Sequence, residues 1–204
     1  MQQTYQSPIA AYATATYLLV LAPHEILCHD IMQVKKKFAA NYECPSALAG
    51  KPNIVLVKFE QYEMVEKRLL HRLQLIAAAH PSFLIELNGF GSFPTHTIHI
   101  NVTTKAQIVA LIKSLRTVQP LLTIDKARKP HFITEPTITI AHQLLPWQYE
   151  KGWLELSHTH FSGKFMVKQF FLLRKNANEK SFTIIKKFSL LNEKNFVEQG
   201  ELFG

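Results

Sequence analysis

The sequence predicts an α+β fold with two pseudo-symmetric lobes, each an antiparallel sheet with helices on its outer face, around a central groove. Residues 52–57 and 136–141 both read as a proline, a polar residue and an alternating strand. Around these two motif strands, each half of the chain repeats the order motif strand, helix and two strands. A hydrophobic content of 47% over 204 residues is enough for a large core.

The first half of the chain alternates strands and helices according to its apolar spacing. Residues 16–21 are rich in leucine, valine and tyrosine and predict a strand. Apolar residues at helical spacing predict a helix over residues 24–40. The first motif strand covers residues 53–59, and a second helical pattern covers about residues 62–79.

Two further strands and a helix complete the first half. The strands are predicted over residues 83–93 and 96–102, and two glycines in the first of them indicate a bulge or sharp bend. The helix is predicted over residues 104–115, with Thr103 or Thr104 as its N-cap, because a threonine hydroxyl can accept from the first free amides.

The second half follows the same outline. The second motif strand covers residues 137–141, and a short helix covers residues 147–156. Residues 165–174 and 182–190 are predicted to form a hairpin across a polar turn.

The chain is predicted to be a single bilobal domain over residues 1–204. The first motif lobe is expected at about residues 41–102, and the second at about residues 120–190. Residues 192–204 carry no clear pattern and are predicted to form a mobile tail.

The net charge of +8 is spread unevenly along the chain. Residues 1–102 carry 8 basic and 7 acidic side chains, whereas residues 103–204 carry 15 and 8. A one-sided positive field favours anionic partners, among which nucleic acid is the usual candidate. A basic surface that serves only solubility is the alternative.

Cysteine content and hydropathy predict where the protein resides. Two cysteines, Cys28 and Cys44, favour the reducing cytoplasm over a disulfide framework, although a single disulfide is compatible with the count. The apolar stretch at residues 9–21 is too short to span a membrane and lacks the basic flank of a signal peptide. We therefore predict a cytoplasmic protein with no membrane partner. We also predict that the protein uses no metal and no cofactor.

Strand alternation predicts which side chains of the motif strands face the groove. Asn53, Val55 and Val57 share one face of the first strand, and Thr137, Thr139 and Ala141 share one face of the second. The amide and hydroxyl groups on these faces can hold a phosphate.

A third strand adds a polar row. Thr97, His99 and Asn101 alternate with apolar residues and are expected to face water or a ligand. The alternative is the ordinary wet face of an antiparallel sheet. His131 and His142 flank the second motif, and strict alternation points His142 away from Thr137 and Thr139.

Three segments carry a resemblance to a known family: KPNIVL at residues 51–56, LNGFGSFP at residues 87–94 and PTITIA at residues 136–141. Their order and spacing resemble the two-histidine phosphoesterases, also called the 2′-5′ RNA ligase-like superfamily. The resemblance covers about residues 15–190.

The resemblance implies a reaction and also a loss. In the family, a histidine on each motif strand acts as general base or general acid at a 2′,3′-cyclic or 2′-5′ phosphodiester, without a metal. A threonine or serine two residues later binds the phosphate. Here Asn53 and Thr137 occupy the histidine positions, Val55 replaces the first hydroxyl, and only Thr139 matches. Losing one acid–base group typically removes about 10²–10⁴-fold in rate.

The resulting prediction is a 2′-5′ RNA ligase-like protein that binds RNA ends or nucleotide phosphates but lacks the family's acid–base pair. Asn53, His99, Thr137 and Thr139 are the expected ligand contacts. Two alternatives stay open: an active phosphodiesterase with a relocated histidine, His99 or His131, and a non-catalytic module that binds a protein partner.

Overall fold

The computed structural model describes residues 13–191 and contains nine strands and five helices within that range. The strands are β1 (Thr14–Leu21), β2 (Ile54–Tyr62), β3 (Phe83–Phe93), β4 (Thr97–Val102), β5 (His131–Phe132), β6 (Thr137–His142), β7 (Ser162–Val167), β8 (Gln169–Asn176) and β9 (Thr183–Ser189). The helices are α1 (Glu25–Asn41), α2 (Glu66–Ala78), α3 (Ala106–Arg116), α4 (Gln119–Leu122) and α5 (Pro146–Leu156). The tail predicted over residues 192–204 lies outside the described residues.

The strands form an antiparallel sheet in the order β7-β3-β4-β6-β2-β1-β8-β9, with the short β5 beside β2. The predicted α+β class, with antiparallel strands and helices packed on them, is confirmed. We call β7-β3-β4-β6 the first half-sheet and β2-β1-β8-β9 the second half-sheet. Within the described strands, the two meet at a single residue pair, Ile54 and Ile138, both fully buried.

This strand order corrects the predicted lobe ranges. Residues 41–102 and 120–190 were expected to form one lobe each, but each half-sheet takes strands from both ranges. The first motif strand, β2, pairs along most of its length with β1, while β3 and β4 pair with β7 and β6. The reason is that a repeated local pattern specifies strands but not their partners, which depend on long-range packing.

The strand predicted over residues 165–174 is divided in the structure. Residues 165–174 form two strands, β7 and β8, separated at Lys168, whose carbonyl accepts from the amide of Leu190 at 2.8 Å. β7 leaves to pair with β3 at the edge of the first half-sheet, and β8 pairs with β1. The predicted hairpin is confirmed only for β8 and β9.

The predicted threonine cap of α3 is wrong. The helix begins after Lys105, with no side-chain cap. Thr103 and Thr104 instead bind the backbone of Glu86: the Thr103 hydroxyl donates to the Glu86 carbonyl at 3.1 Å, and the Thr104 hydroxyl accepts from the Glu86 amide at 3.1 Å. These threonines therefore hold the start of the helix segment against β3.

A partly buried polar cluster fixes α2 on the second half-sheet. The Tyr17 ring stacks on Phe59 at 5.1 Å, and its hydroxyl donates to the Glu66 carboxylate at 3.2 Å. Arg174 of β8 donates to the same carboxylate at 3.1 Å. Burial and the neighbouring Glu66 raise the pKa of Tyr17, so the phenol keeps its proton and serves as a permanent donor.

Among residues 13–191, no helix combines the length and the apolar character that crossing a membrane demands.

The junction between the half-sheets predicts a strong effect of Ile138→Ala. Both isoleucines are fully buried there, so the substitution removes apolar contact from the one described pair that joins β2 to β6. We expect the free energy of unfolding in urea to fall by about 2–4 kcal/mol. The matched control is Ile184→Ala on β9, where the side chain is 57% exposed and the effect should stay below about 1 kcal/mol. Equal losses for the two variants would contradict this role of the junction.

Candidate functional site

The register between β4 and β6 places the predicted polar residues side by side. His99 pairs with Thr139, and Asn101 pairs with Thr137. Directly opposed residues of an antiparallel pair project to the same face of the sheet. We call this surface, defined by these four residues and Asn53, the motif face.

Asn53 joins the same row through the half-sheet junction. Ile54 pairs with Ile138, so extending the antiparallel register by one residue places Asn53 opposite Thr139. The row then comprises His99 of β4, Thr139 of β6 and Asn53, which directly precedes β2. Both predicted motif strands thus contribute to one surface.

The first motif strand departs from strict alternation after Asn53. Asn53 precedes β2 and is half-buried, and its side-chain amide donates to the Lys51 carbonyl at 2.9 Å. The register with β1 skips Leu56, which is the signature of a β-bulge. The buried positions therefore change phase, and Val57 becomes fully buried. The expectation that Val57 shares a groove-facing row with Asn53 and Val55 is wrong for this reason.

A second bulge reorients the end of β6. Ile140 has no partner in β4, so Ala141 pairs with Ile98 and is buried in the core. His142 then pairs with Thr97 and belongs to the motif face. Strict alternation predicted that Ala141 shares the face of Thr137 and Thr139 and that His142 points away from it; both predictions are wrong because of this bulge. His142 is exposed.

The polar row of β4 is buried rather than open to water. Thr97 is 8% exposed and His99 is 5% exposed, while Asn101 is half-buried. The Phe93 ring lies at 4.7 Å from the His99 ring, centroid to centroid. Thr97 and His99 therefore have little contact with water in the described structure, and the expectation that this row contacts a ligand stays a prediction.

Gly91 allows the close approach of two of these side chains. It pairs with His99, and a Cβ atom at Gly91 would lie 2.3 Å from Asn101 Oδ1 and 2.6 Å from His99 Nε2. No other residue fits there without displacing both groups. Gly89, with a φ of 65°, occupies the bulge of β3, so the bulge predicted from the two glycines is confirmed.

His99 is a neutral imidazole with one free nitrogen. Asn101 Nδ2 donates to the Phe90 carbonyl at 3.0 Å, which leaves Oδ1 to accept from His99 Nε2. Burial lowers the pKa of His99, and this exceeds the opposing effects of the Asn101 hydrogen bond and of Glu135. His99 Nδ1 is buried and has no hydrogen-bond partner within the described residues.

His131 lies apart from the motif face. It is on β5, where it pairs with Lys58. Lys58 is five residues beyond Asn53, which corresponds to about 17 Å along a strand. The relocated-histidine alternative therefore depends on His99 alone.

The motif face offers hydrogen bonds rather than metal chemistry. Within the described residues, no group of three or more His, Cys, Asp and Glu side chains is arranged to hold a metal ion. Thr137 and Thr139 are half-buried and present hydroxyl groups, and Asn53 presents an amide. Such groups bind phosphate oxygens without changing their own protonation.

The burial of His99 predicts how stability depends on pH. A histidine with a lowered pKa in the folded state binds fewer protons than in the unfolded chain, so stability is retained at high pH and falls as pH drops through the ordinary histidine range. His80, whose pKa burial also lowers, contributes with the same sign. We expect the free energy of unfolding, measured in urea, to decrease less between pH 7.5 and pH 5.5 for His99→Gln than for the unchanged protein.

The control for this measurement is His131→Gln at an exposed position. For this variant, the free energy of unfolding should decrease between the two pH values by as much as it does for the unchanged protein. If His99→Gln loses as much stability as the control, the burial of His99 does not govern the acid response.

The family profile described as the 2′-5′ RNA ligase superfamily matches residues 23–179. No match was found among curated protein sequences. Several crystal structures share the fold. The structure of TT0787 of Thermus thermophilus has a TM-score of 0.64 at 18% identity, and the alignment covers 87% of this chain and 99% of that chain.

Two structures of E. coli LigT are also similar. The complex with 3′-AMP has a TM-score of 0.56 at 13% identity, with 87% of this chain and 98% of that chain covered. The complex with ATP has a TM-score of 0.57 at 14% identity, with 88% and 99% covered. At these low identities, the TM-scores establish a common fold and no more. Because the family profile spans most of the sequence, the chain belongs to the 2′-5′ RNA ligase superfamily.

Proposed function

We propose that this protein binds RNA ends or nucleotide phosphates on the motif face and does not catalyse the reaction of its superfamily. The observation that carries this proposal is the row formed by the His99–Thr139 pair of β4 and β6 and by Asn53, which directly precedes β2. The row keeps the phosphate-binding threonine that the resemblance implies, but it has an asparagine where the first histidine is expected. Thr137, one row away, takes the place of the second histidine.

The chemistry of the substituted positions supports binding without turnover. Opening a cyclic phosphodiester needs one group that accepts a proton and one that donates a proton near pH 7. An asparagine amide and a threonine hydroxyl do neither at that pH. They do donate hydrogen bonds to anionic oxygens, and hydrogen bonds to charged groups are about twice as strong as neutral ones.

The choice of a nucleotide ligand has two supports. LigT has been crystallised with 3′-AMP, with phosphate and with ATP, and we transfer the nucleotide-phosphate class from that similarity. The net charge of +8 attracts anionic ligands in general. We also retain the prediction of a cytoplasmic location, supported by the unpaired thiols of Cys28 and Cys44.

A second candidate function is a phosphodiesterase that uses His99. One observation favours it: His99 Nδ1 is a buried nitrogen without a partner among the described residues, beside the phosphate-binding threonine. Burial lowers the pKa of His99, which favours the unprotonated ring that can accept a proton but also makes it a weaker base. His99 supplies only half of an acid–base pair, so we rank this candidate second.

The binding proposal is tested with a short RNA that ends in a 2′,3′-cyclic phosphate, against the same RNA ending in hydroxyls. We expect tighter binding of the cyclic end, and we expect the RNA recovered after incubation to be unchanged. We expect the unchanged protein to prefer the cyclic end about tenfold. Thr139→Val removes the hydroxyl at nearly constant volume and should abolish this preference. Thr183→Val, at an exposed position on β9, should leave the preference intact.

The outcomes separate the candidate functions. Conversion of the cyclic end, lost in His99→Ala, would replace binding with the phosphodiesterase. Weak binding that does not distinguish the two ends would contradict both and would favour a module for a protein partner.

The assignment of Asn53 and Thr137 to the lost acid–base positions predicts a gain of function. The double variant Asn53→His/Thr137→His should open the cyclic end, and each single variant should be slower by about 10²–10⁴-fold. The measurement is the rate of appearance of the opened RNA end on a gel, with Thr183→His as the control for an added imidazole. If the double variant is inactive while binding is retained, these positions do not hold the acid and base.

A further inference from the structure

A concave surface lies outside the motif face, between α2 and the turn that joins α3 to α4. It encloses a cavity of about 410 Å³, within the range of about 300–1,000 Å³ that ligand pockets usually have. The lining residues are Arg68, His71, Arg72, Thr117, Val118, Pro120 and Leu121. We call this surface the arginine pocket.

The rim of the arginine pocket carries cations that are not neutralised by any acidic group of residues 13–191. Arg68, His71 and Arg72 are exposed and lie at i, i+3 and i+4, so they share one face of α2. Among the ion pairs of the described residues, none includes Arg68 or Arg72. Two unpaired guanidinium groups one helical turn apart form a site for anionic oxygens.

The segments around the arginine pocket also carry a net positive charge. From Lys67 to Ile124 the only acidic residue is Glu86. The basic residues in that stretch are Lys67, Arg68, Arg72, Lys105, Lys113 and Arg116. Helices α2, α3 and α4 therefore expose a positive surface whose only acidic residue, Glu66 at the start of α2, already pairs with Arg174.

The polar groups on the inner side of the pocket are already satisfied. The Thr117 hydroxyl donates to the Ser114 carbonyl at 2.7 Å, and the buried Gln61 amide donates to the Leu121 carbonyl at 2.8 Å. Because these groups are occupied, those left for a ligand are the arginine donors, the His71 ring and the apolar walls. The pocket therefore suits a molecule that is anionic at one end and apolar at the other.

We propose that the arginine pocket binds single-stranded RNA, with backbone phosphates on Arg68 and Arg72 and one base against Pro120 and Leu121. A base can stack on a guanidinium plane and pack against apolar side chains, while the phosphates of the same strand provide the negative charge. A purely acidic peptide would satisfy the arginines but would leave the apolar walls in contact with water. The site is separate from the motif face and needs no terminal phosphate.

The test uses a 12-nucleotide RNA with hydroxyl groups at both ends, so that the motif face has no terminal phosphate to bind. Arg68→Gln/Arg72→Gln removes two phosphate contacts and should weaken binding about tenfold. It should also reduce the slope of log K against log salt by about 1.4, because each contact to a single strand contributes about 0.7. The matched control is Lys36→Gln/Lys151→Gln, which removes two exposed helical cations elsewhere and should leave the slope nearly unchanged.

Two further measurements make the assignment specific. An abasic strand of the same length should bind about tenfold more weakly than the RNA, because the stacked base is absent. Poly-glutamate of equal charge should compete poorly. Equal slopes for the two double variants would overturn the proposal, as would equal competition by poly-glutamate, which would indicate an acidic polypeptide instead. Thr139→Val should not alter this binding, so failure of the arginine pocket and failure of the motif face are distinguishable.

Discussion

The motif face depends on one contact between two half-sheets. Ile54 of β2 and Ile138 of β6 are fully buried and form the one described residue pair through which those strands meet. Each isoleucine sits next to a polar residue of its motif, so burying this pair brings Asn53 and Thr139 to the opposite surface. Hydrophobic packing on one side of the sheet thereby sets the spacing of hydrogen-bonding groups on the other.

Periodicity could predict which segments form strands and helices, but it could not predict which strands pair. The predicted strand at residues 83–93 coincides with β3, because its ends are marked by turn residues and its apolar residues alternate. The lobe ranges were wrong because β6, from the second predicted range, pairs with β4, from the first. Such pairings join residues far apart in sequence, and only the packing of the whole core decides between them.

Two bulges explain why the site itself was only partly predictable. Strict alternation places Asn53, Thr137 and Thr139 correctly, since all three lie before the irregular positions. Beyond Leu56 and Ile140 the phase changes, which buries Val57 and turns His142 to the motif face. Nothing in the local sequence marks these positions, because neither bulge contains glycine. The glycine-rich segment of β3 did signal an irregularity, but not that Gly91 would admit His99 and Asn101 at close range.

The two proposed sites differ in the charge around them, and this difference suits them to different roles. Near His99, the cation Lys105 is paired with Glu135 at 2.9 Å, so its field is largely offset. In the proposed binding mode, the motif face therefore selects a phosphate mainly by neutral hydrogen-bond donors, whose effect is short-ranged. Arg68 and Arg72 are unpaired within the described residues, and exposed unpaired charges attract a polyanion over about one Debye length of roughly 8 Å at physiological salt. An RNA strand held at the arginine pocket by its backbone would raise the local concentration of its end near the motif face. The amide and hydroxyl groups of the motif face could then distinguish a phosphate end from a hydroxyl end.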